Sequence, residues 1–245
     1  MILVILAAGR GSRLKTKTRN IPKCLIKIGK NSIIDYIYPF IKKFNKTIIV
    51  CGYKSKLIEK KFKNNKKIFF AFNKKYKSTN MVYSLFQAKK FVKKNEDIIV
   101  CYSDVIFDCK IYELFKKNRK TFIPIKKNWL ILWKKRMSMI KIINDAENLI
   151  VKNNKLVSIG GKIKKIFPRY QFMGLMKIVY KDFLTMEKFY RKINNIKIDF
   201  TSFLDLIVKN NKLNISCIKT NKLWFEVDTS KDFAVAKKIM HKVVL

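Results

Sequence analysis

Short apolar runs, separated by polar or glycine-containing segments, recur along the first half of the chain. The runs that predict β-strands are 2–6, 47–51, 67–72, 97–102 and 121–125. Apolar positions with helical spacing lie between them, in 32–44, 56–62 and 80–93. The first of these begins with Ser32-x-x-Asp35, which has the form of a capping box. Strands that alternate with helices indicate a mostly parallel sheet covered on both faces.

The pattern changes after residue 126, where shorter segments indicate antiparallel strands. We predict strands at 129–135, 148–159, 172–179, 213–218 and 223–227. Asn153-Asn154 is a plausible hairpin turn within the second of these. Helical spacing returns in 182–193 and 201–209. The predicted fold class is therefore α/β: three layers, α/β/α, around a mostly parallel mixed sheet with a small inserted antiparallel region.

The bulk properties favour a single domain, 1–245, because 245 residues can bury a sizeable core. No apolar run approaches the length of a transmembrane helix, and 1–8 is too short and lacks the basic start of a secretory signal. The five cysteines are scattered without C-x-x-C spacing, which predicts neither a thiolate metal site nor a disulfide framework. We therefore expect a cytoplasmic protein without a membrane partner.

The net charge of +40 raises the alternative of a basic nucleic-acid-binding protein. The positive residues, however, are mostly lysines spread along almost every segment. Abundant Lys, Asn, Ile and Phe beside sparse Gly, Pro and Arg is typical of an AT-biased codon usage. We therefore expect no specific nucleic-acid partner, although such a surface should attract anionic substrates.

The most informative segment follows the first predicted strand. A strand that ends in a glycine-punctuated loop lets backbone N–H groups approach phosphate oxygens, and the guanidinium groups of Arg10 and Arg13 suit the same ligand. A P-loop would need a Lys-Ser or Lys-Thr pair after the glycines, and a dinucleotide fingerprint would need a small residue in place of Leu14. Two interpretations of this loop remain: a binding site for a nucleoside triphosphate, or an ordinary turn.

The run L-A-A-G-R-G-S-R-L, with Pro22-Lys23 behind it, resembles the signature of the nucleotidyltransferase superfamily. The resemblance implies a Rossmann-like fold in which 1–125 binds the nucleotide, 126–220 binds the acceptor, and 221–245 closes the domain with a metal-ligand strand and a helix. It implies that Arg13 holds the departing pyrophosphate and that Lys23 lies on the reacting phosphates. The residues implied to contact the nucleotide are Leu6, Ala7, Ala8, Gly9, Arg10, Gly11, Ser12, Gly52 and Tyr53.

Two carboxylates follow predicted strands at positions where a ligand edge is expected. Asp104 follows the strand at 97–102 and Asp228 follows the strand at 223–227. Mg²⁺ prefers one or two carboxylates together with phosphate oxygens and water. Turn-forming aspartates are the alternative, but the resemblance implies that both bind the metal, with Glu226 in a supporting role. Asp108 and Asp232 are interpreted as structural.

The implied reaction is attack by an acceptor phosphate oxygen on the α-phosphorus of the nucleotide, with release of pyrophosphate. An acceptor phosphate is already anionic and needs no general base, which agrees with a chain whose single histidine is His241. Positioning and charge stabilisation by Mg²⁺, Lys23 and Arg13 would supply the catalysis.

The later segments resemble the cytidylyltransferase branch that acts on phosphocholine and phosphoglutamine, the latter for capsule phosphoramidate synthesis. The string N-x-x-Y-x-x-T-N-x-x-Y-S-L implies that Asn80 and Ser84 help to hold the nucleotide, which is then CTP. The acceptor candidates are Trp133, Arg136, Asp145 and Lys162, for which a core tryptophan and surface charges are the alternatives.

We thus expect a Mg²⁺-dependent, CTP-using enzyme that activates a small phosphorylated compound for cell-surface polysaccharide. A sugar-1-phosphate nucleotidylyltransferase is the alternative enzyme, and a homodimer is left open.

Overall fold

A ten-stranded mixed sheet forms the centre of the structure, a computed structural model that describes residues 1–163 and 167–243. The side chains of Arg136 and of 239–243 lie outside that description. The strands are β1 (Ile2–Ala7), β2 (Lys27–Ile28), β3 (Asn31–Ser32), β4 (Thr47–Cys51), β5 (Ile68–Phe72), β6 (Ile98–Tyr102), β7 (Val105–Phe107), β8 (Phe122–Lys126), β9 (Glu147–Lys152), β10 (Lys155–Lys162), β11 (Gln171–Phe172), β12 (Leu175–Ile178), β13 (Ser216–Thr220) and β14 (Trp224–Glu226).

Helices of four to fourteen residues connect the strands. The α-helices are α1 (Ile33–Tyr36), α2 (Tyr38–Ile41), α3 (Ser55–Phe62), α4 (Met81–Gln87), α5 (Tyr112–Lys117), α6 (Trp129–Arg136), α7 (Met139–Asp145), α8 (Tyr180–Ile193), α9 (Phe200–Lys209) and α10 (Ser230–Val243). Short 3₁₀-helices occupy Ser12–Thr18, Lys23–Leu25, Lys89–Phe91 and Cys109–Ile111. Across the described ranges, no helix has both the length and the apolar character needed to cross a bilayer.

The sheet has the order β5-β4-β1-β6-β12-β8-β13-β10-β9, with β11 paired to β8. The ladders from β5 through β6 are parallel, whereas β12 is antiparallel to both of its neighbours. All six residues of β1 are buried, as expected for a central strand with both faces covered. The predicted α/β class with a mostly parallel mixed sheet and helical layers is confirmed. The five strands predicted in the first half are found within one residue of their expected ends.

The inserted region differs from its prediction in one element, because 129–135 is helix α6 and not a strand. A continuous apolar run does not distinguish the two conformations by itself. In the structure Trp129 and Trp133, four residues apart, are both 2% exposed, while Ile131 between them is 63% exposed. That spacing is the period of a helix that buries one face. The antiparallel prediction holds for β9 and β10, which are joined through Asn153 and Asn154, both in the left-handed region.

Three further elements were predicted at the right place but differ in form. The segment 32–44 is divided into α1 and α2, with Pro39 in the first turn of α2, where a missing N–H is tolerated. The predicted capping box between Ser32 and Asp35 is present. The segment 172–179 is divided at Gly174, which has a φ of +68° and cannot continue a strand. Strand β14 lies outside the large sheet and pairs with β7.

Candidate active site

A cavity of about 290 Å³ lies at the edge of the sheet where β1 and β6 end. Parallel strands present their carboxyl ends on the same side, so this is where an open α/β sheet binds ligands. The cavity is lined by seven residues that the sequence singled out: Arg13, Asn80, Asp104, Trp133, Asp145, Glu226 and Asp228. Residues from opposite ends of the chain therefore meet at one place.

The loop after β1 lies directly against Lys23. Gly11 has a φ of +69°, and a Cβ atom built on it would lie 2.9 Å from the Cβ of Lys23. Glycine is therefore required there both for its conformation and for the space it leaves. The Thr18 hydroxyl, which no sequence pattern singles out, donates to the carbonyl oxygen of Gly11 at 3.0 Å and holds the loop in place.

The residues of this loop that are predicted to contact the nucleotide differ in how exposed they are. Leu6, Ala7 and Ala8 are buried, while the backbone from Gly9 onward reaches the surface beside the cavity. Arg10 and Ser12 are exposed. The buried residues hold the loop on the sheet and the exposed ones remain accessible to a ligand.

Lys23 lies between the two predicted metal-binding carboxylates. Its Nζ donates to Oδ2 of Asp104 at 2.6 Å and also to Oδ1 of Asp228. Burial alone would lower the pKa of Lys23, but the charges of Asp104 and Asp228 outweigh it and raise the pKa above its ordinary value. The side chain is only 9% exposed and carries a fixed positive charge.

Arg13 extends this group of charges along the cavity wall. Its guanidinium lies 3.1 Å from Oδ2 of Asp228 and 3.8 Å from Oδ1 of Asp145. Arg13 is far more exposed than Lys23, with a side-chain exposure of 62%. The two cations therefore differ in exposure: Lys23 is buried and Arg13 is accessible from the cavity.

Backbone hydrogen bonds hold Asp104 and Asp228 next to each other. The amide of Val227 donates to the carbonyl oxygen of Asp104 at 3.0 Å, which extends the β7–β14 ladder. Oδ2 of Asp232 accepts from the amides of Asp228 and Thr229, at 3.0 and 2.8 Å. Asp232 therefore has the structural role that the sequence indicated.

The residues at this position fit a divalent cation coordinated by two carboxylates. Oδ1 of Asp104 is buried, and it has no hydrogen-bond partner in the part of the chain that the structure describes. An orphaned carboxylate oxygen beside a second carboxylate is a group that a bound cation would satisfy. Within residues 1–163 and 167–243 no group of three His, Cys, Asp or Glu side chains could hold a metal, so Glu226 lines the cavity without completing a three-residue cluster. Mg²⁺ needs no more than two carboxylates when phosphates supply the rest.

Gly52 and Tyr53 pack against the loop that follows β1. A Cβ on Gly52 would lie 2.7 Å from the carbonyl oxygen of Ala8, and the amide of Tyr53 donates to that same oxygen at 3.0 Å. The Tyr53 hydroxyl donates to the carbonyl oxygen of Thr18 at 3.0 Å, and the Arg10 guanidinium lies 5.7 Å from the centre of the Tyr53 ring. These two residues therefore buttress the loop.

Asn80 and Ser84 occupy different positions relative to the cavity. Asn80 lines it, and its side-chain oxygen caps α4 by accepting from the amide of Met81 at 2.8 Å. Ser84 is buried and accepts from Nδ2 of Asn73, which also donates to the Thr79 hydroxyl, each at 2.9 Å. Asn73, which is 1% exposed, thus organises the segment that presents Asn80.

The predicted acceptor residues are also divided. Trp133 lines the cavity and packs edge-on against Trp129, with ring centres 5.1 Å apart. Asp145, at the end of α7, lines the same wall. Lys162 is exposed at the end of β10 and lines a neighbouring groove instead. The side chain of Arg136 lies outside the described residues.

The cavity also contains residues that the sequence did not single out. They are Met81, Tyr102, Glu147, Gln171, Phe172, Asp199 and Thr201. They come from α4, β6, β9, β11 and the start of α9, which are distant in sequence. Asp199 could have been recognised as a helix cap, since it accepts from the amide of Ser202 at 2.8 Å. No local pattern places it beside the cavity.

A family model described as Nucleotidyl transferase matches residues 2–136. The chain belongs to this family and is an enzyme of the nucleotidyltransferase class, as its glycine-containing loop predicted. Over 96% of its length it is 30% identical to the CTP:phosphoglutamine cytidylyltransferase of Campylobacter jejuni, of which it covers 98%.

Two solved structures share the fold. The inositol-1-phosphate CTP transferase from T. maritima has a TM-score of 0.80 and 19% identity, with 99% of this chain and 95% of that chain covered. The CTP:phosphocholine cytidylyltransferase from Streptococcus pneumoniae has a TM-score of 0.72 and 19% identity, with coverages of 98% and 99%. At these identities the two structures establish the fold alone.

Proposed function

We propose that the protein is a Mg²⁺-dependent cytidylyltransferase that transfers a cytidylyl group from CTP to a small phosphorylated acceptor and releases pyrophosphate. The observation that carries the proposal is the arrangement of Lys23 between Asp104 and Asp228, beside a glycine-containing loop at the end of β1. The full-length similarity to a CTP-using enzyme supports the choice of nucleotide.

Each part of the site has a role in this reaction. The backbone from Leu6 to Ser12 wraps the nucleotide, and Lys23 and Arg13 stabilise negative charge on the reacting phosphates. Asp104 and Asp228 would hold the Mg²⁺, which neutralises charge on the triphosphate and orients it when bound. Binding both substrates in one cavity aligns the acceptor oxygen with the α-phosphorus. No side chain has to remove a proton, because the attacking phosphate oxygen is already anionic.

The proposal divides the chain by task. Residues 1–125 bind the nucleotide, 126–220 bind the acceptor, and 221–245 close the site with Asp228. We assign the enzyme to the cytoplasm and its product to the decoration of a cell-surface polysaccharide. The resemblance to the phosphocholine and phosphoglutamine branch supports both assignments.

A pyrophosphate-release assay tests the proposal. Each of the four nucleoside triphosphates is incubated with Mg²⁺ and with phosphocholine, phosphoglutamine, inositol 1-phosphate or a sugar 1-phosphate. We expect release with CTP and one of the small acceptors. Release only with a sugar 1-phosphate would establish the alternative enzyme, and no release with any pair would refute the enzymatic proposal. Binding to DNA or RNA that survives physiological salt would favour the nucleic-acid alternative.

A further inference from the structure

The segment 127–144, which contains α6 and almost all of α7, exposes large apolar side chains. Trp129 and Trp133 are buried and hold α6 on the core. Ile131 on α6 is 63% exposed and Ile140 on α7 is 73% exposed, the two highest values among the large apolar side chains that the structure describes. A surface helix that packs on a core by one face normally presents polar residues on the other. These two helices depart from that rule.

Helical spacing places the exposed apolar side chains of α7 on one face. In an α-helix each residue turns by about 100°, so Met139, Ile140 and Ile143 fall within an arc of about 100°. All three are exposed, whereas Ile142, which lies outside that arc, is fully buried. An exposed group of apolar side chains on a folded protein indicates a surface that binds a partner.

The same segment carries positive charge and no negative charge. It contains Arg136 and four lysines but no Asp or Glu. The lysines are exposed, and none of them forms an ion pair with a carboxylate that the structure describes; they are Lys127, Lys134, Lys135 and Lys141. Their charge is therefore available to an anionic partner.

An anionic lipid bilayer offers both kinds of contact at one surface. Its headgroups attract lysines, each of which strengthens binding about fivefold near such a surface, and the boundary of its acyl chains accepts apolar side chains. A second copy of this chain fits less well, because it also carries a net charge of +40 and would bring an equally basic segment to the interface. The apolar side chains alone suit either partner, so the charge decides between them.

We infer that the segment 127–144 binds the protein to the surface of an anionic lipid bilayer, with the exposed isoleucines of α6 and α7 inserted between the lipids. The sequence predicts no membrane partner because no apolar run is long enough to cross a bilayer. A helix pair that lies on the surface needs no such run. Trp133 and Asp145, which belong to the same two helices, line the cavity, so the bound protein holds its active site beside the bilayer.

The first test is co-sedimentation of the full chain with vesicles at physiological salt. The vesicles contain phosphatidylcholine alone, or phosphatidylcholine mixed with an equal part of phosphatidylglycerol. A chain with a net charge of +40 adsorbs to the mixed vesicles by charge alone, so the variant must remove the apolar contact and keep the charge. The double variant Ile131→Gln/Ile140→Gln does so. We expect it to bind the mixed vesicles at least about tenfold more weakly than the unmodified protein, because two large apolar side chains no longer leave water on binding.

The matched control is the double variant Leu57→Gln/Leu184→Gln. It removes two exposed apolar side chains from α3 and α8, outside the segment 127–144, and also keeps the charge. We expect it to bind the mixed vesicles as the unmodified protein does. Circular dichroism and thermal melting check that both double variants are folded.

Hydrogen–deuterium exchange of the unmodified protein gives a second measurement, which does not depend on whether a variant folds. We expect the mixed vesicles to slow amide exchange in peptides from 127–144 and to leave exchange in the rest of the chain unchanged, because only the bound segment is shielded. Vesicles of phosphatidylcholine alone should have no effect.

Four results would overturn the inference: no binding to the mixed vesicles, equal binding of the two double variants, protection spread over the chain, and protection that omits 127–144. Equal binding would show adsorption by charge alone. A concentration-dependent dimer in sedimentation velocity, lost in Ile131→Gln/Ile140→Gln, would assign the surface to a second copy instead. The vesicle assays contain no nucleotide, so their failure would leave the result of the pyrophosphate-release assay, and with it the proposed function, unaffected.

Discussion

The ammonium nitrogen of Lys23 lies 2.6 Å from Oδ2 of Asp104, in a position where it also contacts Asp228. A buried cation between two carboxylates offsets part of their negative charge. Removing one partner of such a group leaves an uncompensated buried charge, which destabilises a protein by about 3–5 kcal/mol.

We predict that Lys23→Met lowers the free energy of unfolding by an amount on that scale and slows turnover by at least about a hundredfold, the scale found for loss of one charge-stabilising donor. Added Mg²⁺ should raise the melting temperature of the variant by more than that of the unmodified protein, because the freed carboxylates then bind the ion. Thermal melting with and without Mg²⁺ measures this difference.

The control is Lys61→Met, which breaks a partly exposed pair with Asp35 and should change stability by no more than about 1 kcal/mol, independently of Mg²⁺. If Mg²⁺ does not raise the melting temperature of Lys23→Met by more than that of the unmodified protein, the assignment of Asp104 and Asp228 to the metal site is contradicted.

We predict that Asp104→Asn abolishes pyrophosphate release while the protein stays folded. The amide preserves the shape of the side chain but removes the charge from which a cation takes its binding energy. Asp108→Asn is the matched control: Asp108 lies outside the cavity, where its carboxylate accepts from the amide of Lys110 at 2.8 Å. Circular dichroism and the pyrophosphate assay should separate the two variants. An unchanged rate for Asp104→Asn would remove this residue from the metal site.

We predict that Gly11→Ala lowers activity as well as lowering stability through backbone strain. An alanine at a φ of +69° is destabilised by about 1–2 kcal/mol, and here its Cβ would also approach Lys23 to 2.9 Å. Gly29→Ala isolates the first effect, because Gly29 has a φ of +68° but nothing within 4 Å of its added Cβ. Both variants should lose similar stability from strain, and only Gly11→Ala should also lose activity, by at least about tenfold. Equal activity in the two variants would show that the loop does not position Lys23.

We predict a pH-dependent stability difference between the unmodified protein and Glu147→Gln. The pKa of Glu147 is raised in the folded state, so the folded protein binds this proton more tightly than the unfolded chain does. Folding is therefore penalised as the pH rises from the ordinary glutamate pKa, about 4.3, through the raised value. The stability of Glu147→Gln relative to the unmodified protein should increase over that window and be constant above it. Urea unfolding between pH 4 and pH 7 measures the difference.

The loop after β1 could be predicted from the sequence because its signals are local. The run from Leu6 to Arg13 combines a buried strand, a glycine with positive φ and a guanidinium within a few residues, and each feature has a physical reason that is visible in one dimension. Asp104 and Asp228 could be selected because each lies two residues past the end of a strand, at a position that the family resemblance marks for a metal ligand.

The part of the cavity lining that includes Glu147 and Gln171 could not be predicted because it depends on long-range topology. Glu147 begins β9 at one edge of the sheet, whereas Gln171 belongs to β11, which pairs with β8. Their meeting at one cavity follows from strand order, which a single sequence does not display. The segment 129–135 is predicted as a strand but belongs to a helix, because a continuous run of apolar residues agrees with the periodicity of either element. Only the packing of Trp129 and Trp133 against the core distinguishes the helix from the strand.

Gly174 determines how closely β12 approaches Tyr102. Because β12 runs antiparallel to β6, its first residues lie beside the end of β6, and a Cβ on Gly174 would come within 2.9 Å of the Tyr102 ring. A larger residue there would displace that ring, which lines the cavity. A single position outside the cavity can thus change the shape of its wall.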